Sequence, residues 1–149
     1  MKRKLKYLKV KGEPVYIVIN NEVLEECYEE PMLGYVYPNR EENIIYLPTK
    51  KHIRKFIIKH EYCHLKNDKY MGLGFDMCLC SYYWDGELMD NISSRDFNAM
   101  IYAGEIYKKG DNYYMKDYIS KEIDKLRDCL KEEYLKLKRK EMANKEIDI

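Results

Sequence analysis

Apolar residues recur two apart in some stretches of this chain and three or four apart in others, and the change of period divides it into predicted elements. Leu5 to Val10 and Val15 to Asn20 are short runs rich in Val, Ile and Tyr around Lys11-Gly12-Glu13-Pro14, which predicts strand, turn and strand. A short helical or irregular piece comes after Asn20-Asn21-Glu22 and ends near Pro31. Gly34-Tyr35-Val36-Tyr37 and Ile44-Ile45-Tyr46-Leu47 flank a polar loop and predict a hairpin closed by Pro48, with Thr49 placed to N-cap a helix. From Lys50 to about Asp68, residues Ile53, Phe56, Ile57, His60 and His64 fall on one face of an amphipathic helix, which Gly72 and Gly74 end. Phe75 to Trp84 is apolar without a decisive period and is left unassigned. Asn91-Ile92-Ser93-Ser94 supplies hydroxyl caps for a second helix from Arg95 to about Lys108, with Phe97, Met100, Ile101 and Ile106 as its apolar positions and Gly110-Asp111-Asn112 as its break. From Asp117 to about Ala143, apolar residues three or four apart among Glu and Lys predict a long amphipathic helix. The predicted fold class is α+β: one small twisted sheet packed on the Lys50 to Asp68 helix, backed by two further helices.

At 149 residues the chain has the size of one ordinary domain, 1–149. Lys+Arg 27 against Asp+Glu 26 leaves a net charge of +1, which gives no argument for nucleic acid, and none is predicted as a partner. The basic stretches Met1 to Lys4 and Lys136 to Lys140 soon give way to acidic residues and read as solvated faces. Lysines and a glutamate interrupt Tyr7 to Glu13, so no secretory signal is expected there. No apolar run approaches the roughly 18 residues of a membrane span, so no membrane partner is expected either. Five cysteines, Cys27, Cys63, Cys78, Cys80 and Cys129, are an odd number at irregular spacings. They suit reduced thiols and a cytoplasmic location better than a disulfide framework.

The stretch that carries chemistry is His60-Glu61-Tyr62-Cys63-His64, an HExxH motif. One helical turn brings residues four apart onto the same face, about 6 Å apart along the axis, so both imidazoles can converge on one zinc ion. Glu61 is then beside the metal but badly placed to ligate it, which fits a general base acting on a metal-activated water. Catalytic zinc needs a third protein ligand and an open position. His52 lies about 12 Å from His60 along a continuous helix, too far to share the ion, and reads as a surface residue of the first turn. Asp96 is the favoured third ligand, because it opens the second helix and Ala99 after it permits close helix packing. Glu105, Glu87 and Asp68 stay open as alternatives, as do Cys78 and Cys80, which with the histidines would make a closed structural site. For the oxyanion-stabilising group, Tyr102, Tyr107, Tyr113 and Tyr114 are the phenols on or just after the second helix.

Gly34 to Tyr37, Asn43 to Leu47 and Phe56 to His64 together resemble the hairpin and active-site helix of small gluzincin metallopeptidases, of the ImmA/IrrE type or the archaeal minigluzincins. The resemblance covers residues 33 to 104. It implies a zincin-like fold, zinc as cofactor, a third ligand opening a later helix ahead of an alanine, and an edge strand that binds an extended peptide above the metal. Tyr62-Cys63 stands where ImmA-like sequences commonly have Leu-Gly, and Asp96 is one methylene shorter than the family's glutamate. The expectation is therefore a zinc-dependent peptidase with His60, His64 and Asp96 as ligands and Glu61 as base, acting on a peptide or protein. Substrate preference and oligomeric state are left open. Two other readings stand beside it: a catalytically idle module with the zincin fold, which would not need Glu61, and a structural zinc protein built on Cys78 or Cys80.

Overall fold

The computed structural model describes residues 3–10, 12–20, 23–30, 32–36, 42–66 and 79–147. It is a mixed α+β structure with two four-stranded sheets rather than the single sheet expected. The first contains β1 (Arg3–Val10), β2 (Glu13–Ile19), β3 (Tyr35–Val36) and β4 (Ile44–Leu47), in the order β1-β2-β4-β3. β1 and β2 are an antiparallel hairpin that turns at Gly12, whose φ of 79° only glycine adopts easily. β4 runs parallel to β2 and antiparallel to β3, with Tyr35 opposite Tyr46 and Val36 opposite Ile45, the pairing that the alternation predicts. The short helix α1 (Leu24–Glu29) connects β2 to this pair.

The second sheet goes beyond what the periodicity predicts. It contains β5 (Leu79–Trp84), β6 (Glu87–Ser93), β7 (Ile106–Lys109) and β8 (Asn112–Met115), in the order β6-β5-β8-β7. Asp85 and Gly86 both have positive φ, 52° and 81°, and form the two-residue turn that matches the twist of β5 and β6. Gly110 at φ 64° opens the equivalent turn between β7 and β8. The expected helix to Lys108 therefore stops early: Ile106 to Lys109 is a strand, and Gly110-Asp111 is a hairpin turn rather than a helix break.

Three further helices complete the fold. The expected continuous helix from Lys50 is divided: a single 3-10 turn spans Lys50–His52, Arg54 is extended, and α2 spans Lys55–Leu65. Thr49 does cap, but it caps the 3-10 turn, its hydroxyl accepting from the Lys51 amide at 3.2 Å. α3 (Ser94–Tyr102) starts at Ser93, whose hydroxyl accepts from the Asp96 amide. α4 (Asp117–Ile147) is 31 residues long, about 46 Å at 1.5 Å per residue. None of the described helices is long and apolar enough to cross a membrane.

One core joins these layers. Phe56, Ile57 and Tyr62 of α2 pack with Val15, Ile17, Ile45 and Leu47 of the first sheet, with Phe97 and Met100 of α3, and with Ile119, Ile123 and Leu126 of α4. Tyr82, Ile106 and Met115 bring the second sheet into the same cluster. A smaller cluster of Val23, Leu24, Cys27 and Leu130 seats α1 on α4. Polar groups fasten the C-terminal end of α2. Glu13 of β2 accepts from the Tyr62 hydroxyl at 2.8 Å and pairs with Lys66 at 2.7 Å. Lys66 first, then Tyr62, hold the Glu13 carboxyl at about 2, well below the usual range.

Candidate metal centre

α2 presents His60, Glu61 and His64 to a cleft of about 520 Å³. The imidazoles lie edge to face with ring centroids 4.9 Å apart, as residues four apart on a helix must. Asp96 meets them from α3. It is the third residue of that helix, and the cap at Ser93 aims it: the Ser93 hydroxyl donates to Asp96 Oδ2 at 3.2 Å while Oδ1 faces His64 Nε2 at 3.2 Å. Arg95, its neighbour in sequence, donates from Nη2 to the His64 carbonyl at 3.1 Å and ties the start of α3 to the end of α2. Ala99, one turn on, is fully buried. The His64 hydrogen bond in the first place, with the electrostatic influence of the two histidines, lowers the Asp96 pKa against the opposing effect of burial.

The donor atoms of His60, His64 and Asp96 all lie within 4.8 Å of one another. Among the described residues they are the one group of three His, Cys, Asp or Glu side chains so placed. Two ligands of a tetrahedral zinc ion are about 3.3 Å apart at bond lengths near 2.0–2.1 Å, so modest side-chain rotation closes the set. Two imidazoles and a carboxylate are also the donor chemistry of a catalytic zinc site.

Glu105, an alternative ligand by sequence, takes a different place. Gly104, at φ 74°, ends α3, and the Glu105 amide bonds back to the Met100 carbonyl while that of Gly104 bonds to Ile101. This turn folds the Glu105 side chain, 6 % exposed, onto His60 Nδ1 at 2.5 Å. A proton on Nδ1 shared with a carboxylate leaves the lone pair on Nε2, the tautomer a metal requires. Burial alone would depress the His60 pKa, but the Glu105 charge and hydrogen bond outweigh it and raise it to about 9. The second histidine lacks such support at Nδ1, which is buried with no hydrogen-bond partner among the described residues; its ring is held by packing and by Asp96 at Nε2. Burial raises the pKa of Glu61, against the opposing pull of His60 and His64.

The other candidates from the sequence stand elsewhere. Glu87 is exposed on β6, and Cys80 is half-buried with its sulfur 3.5 Å from Ser94 Oγ, apart from the histidine pair. Asp68 and Cys78 lie outside the described residues, as do Gly72 and Gly74. His52 is not a surface residue: it is fully buried, because the extended Arg54 breaks the helix and turns the 3-10 segment inward. None of Tyr102, Tyr107, Tyr113 and Tyr114 lines the cleft. Tyr107 and Tyr114 stack outside it, and Tyr113 packs edge-on against Phe97. Two other tyrosines do line the cleft, Tyr35 of β3 and Tyr82 of β5; Tyr82 is 5 % exposed, its pKa raised by burial and then by the Glu105 charge.

Gly34, in the sequence only the start of a hairpin, lies directly before β3 and close against the motif. A Cβ there would lie 3.1 Å from Glu61 Cγ and 3.2 Å from Leu47 Cδ2, so a side chain would displace Glu61. Comparison of the chain with protein-family models, with curated proteins and with solved structures gave no match.

Proposed function

We propose that this chain is a zinc-dependent peptidase of zincin-like design. The observation that carries the reading is the convergence of His60, His64 and Asp96 from two helices beside Glu61 in one cleft. Those three side chains would hold the ion, and zinc, when bound, supplies a Lewis acid that acidifies water and polarises a scissile carbonyl.

The protein's own groups do the rest. Glu105 holds the His60 ring and its tautomer through Nδ1. Glu61, made more basic by burial, takes a proton from the attacking water and passes it to the leaving amine. Tyr82, kept protonated by burial, is the hydrogen-bond donor for the carbonyl oxygen as it gains charge. Among the described residues β3 is an edge strand of its sheet, and it lines the cleft, so its main chain can pair with an extended peptide, and Gly34 lets that strand lie close to Glu61.

The test uses the purified full chain. Elemental analysis is expected to find about one zinc per chain. Mass spectrometry of a complex peptide mixture is expected to find cleavage by the wild type and none by Glu61→Gln that keeps its zinc. Zinc-loaded wild type that leaves every peptide intact, or Glu61→Gln that cleaves like the parent, defeats the reading.

A further inference from the structure

We propose that Arg127, lying over the ring of Trp84 in the wall of the cleft, is a carboxylate-binding subsite, so that the favoured ligand is a peptide bearing an acidic side chain or a free C-terminus. The inference builds on the peptidase reading, since it names a substrate class for the same cleft.

The cleft is otherwise hostile to anions. Its wall includes the carboxylates of Glu30, Glu61, Asp96 and Glu105. Of its two arginines, Arg95 is committed to the His64 carbonyl, and its Nε is enclosed without a partner and out of reach of solvent. Arg127 differs. It reaches the cleft from α4, one turn after Ile123, which lines the same wall. Its guanidinium carbon lies 5.0 Å from the centroid of the Trp84 ring. Among the described residues it has no carboxylate or carbonyl partner. This cation–π contact holds the guanidinium over the ring without using its N–H donors, which can then grip a carboxylate with two parallel hydrogen bonds. Trp84 at the end of β5 seats this guanidinium beside the strand that carries Tyr82 two residues earlier, and Tyr82 lies in the field of both Glu105 and Arg127. Away from the metal centre, a carboxylate entering the cleft therefore meets acidic residues along the wall and one uncommitted guanidinium, which is positional selectivity.

Trp84 is the only tryptophan in the chain, so its fluorescence reports on this wall. The full-length Glu61→Gln protein, which cannot consume the probes, is titrated with three peptides. They are acetyl-tetraalanine amide, the same peptide with Glu at its third position, and acetyl-tetraalanine with a free C-terminus. At least one carboxylate peptide is expected to bind about tenfold more tightly than the neutral amide, as a charge-assisted bidentate contact allows, and the stronger of the two identifies the source of the carboxylate. Adding Arg127→Gln should bring all three within about twofold of each other, while Arg127→Lys, which keeps the charge without the planar fork, should retain part of the preference. Far-UV circular dichroism checks that each variant folds, and if the Gln variant does not, the reduced preference of the Lys variant decides. Equal affinity for the three peptides overturns the proposal. So does a preference that survives loss of Arg127, or no saturable change with either carboxylate up to about 10 mM. Cleavage is scored separately on the wild type. Cleavage without the preference leaves the peptidase and removes the subsite; the preference without cleavage does the reverse.

Discussion

His52 and His60 are eight residues apart, the first fully buried and the second half-buried in the cleft, and their surroundings push them to opposite protonation states. His52 sits against α4 among apolar groups. Its Nδ1 meets the Thr49 hydroxyl at 2.7 Å, and Nε2 lies beside the Leu126 backbone without a hydrogen bond of good geometry. Burial, helped by the charge of Arg54, lowers its pKa to about 4. His60 is also desolvated, but a carboxylate on its Nδ1 raises its pKa to about 9. Burial by itself neutralises a histidine. Burial with a paired carboxylate makes a basic, oriented imidazole. The first environment serves packing, and the second suits the ligand role proposed for His60.

The most damaging change on the site side of this comparison is Glu61→Gln, which leaves the ring environments intact and removes only a proton acceptor. Zinc content should be unchanged while turnover on any substrate found falls by about three orders of magnitude or more. His64→Ala removes a donor and should reduce zinc from about one per chain to almost none by elemental analysis, and Asp96→Ala should weaken it sharply. A fully loaded His64→Ala protein would refute the ligand set.

On the packing side, the sign of the pH effect is set by the depressed pKa of His52. The unfolded chain takes up its proton near 6.5 and the folded chain only near 4, so the neutral imidazole is compatible with the fold above 6.5 and stability falls as pH drops from 6.5 to 4. At pH 4.5 the loss is about 2–3 kcal/mol, and urea unfolding at pH 7 and 4.5 measures it. His52→Leu should flatten that interval, and an unaltered pH dependence in this variant would show that His52 is not its source.

Glu105→Gln tests the other ring. It keeps the shape but removes the charge on His60 Nδ1, and zinc affinity should fall about 10–100-fold, as for other carboxylate partners of metal-bound histidine. Unchanged affinity would mean that Glu105 packs beside His60 without supporting it. The smallest effect is expected at the far end of α2. Glu13→Gln should cost about 1 kcal/mol, in keeping with a partly solvated ion pair. The contribution of Glu13 is present above about 4.5 and disappears as pH falls toward 2, below the interval that belongs to His52, so the two can be separated in one titration.

The site is more legible in the sequence than the fold around it. His60, Glu61 and His64 depend only on helical spacing, and Asp96 can be picked out because Ser93 caps α3 and so places position 96 in its first turn. Glu105 is visible as a carboxylate, but Ile101 and Ile106 extend the apolar spacing past Gly104 and so suggest that it lies inside a helix. The Schellman turn at Gly104 and the two-residue hairpin turns at Asp85-Gly86 and Gly110-Asp111 are the local signals that divide that region correctly.

What the sequence determined by itself is therefore local: the periods of β1 to β4, the amphipathic course of α4, the HExxH spacing and the cap that aims Asp96. These come from backbone geometry and from hydrogen bonds between residues a few positions apart. Tertiary structure decided the rest. It made His52 a core residue, laid Glu105 on His60 across 45 residues of chain, brought Tyr35 and Tyr82 to the cleft and set Arg127 over Trp84. The physical reason is that burial and through-space charge depend on which elements pack together, and no spacing along a chain encodes that packing.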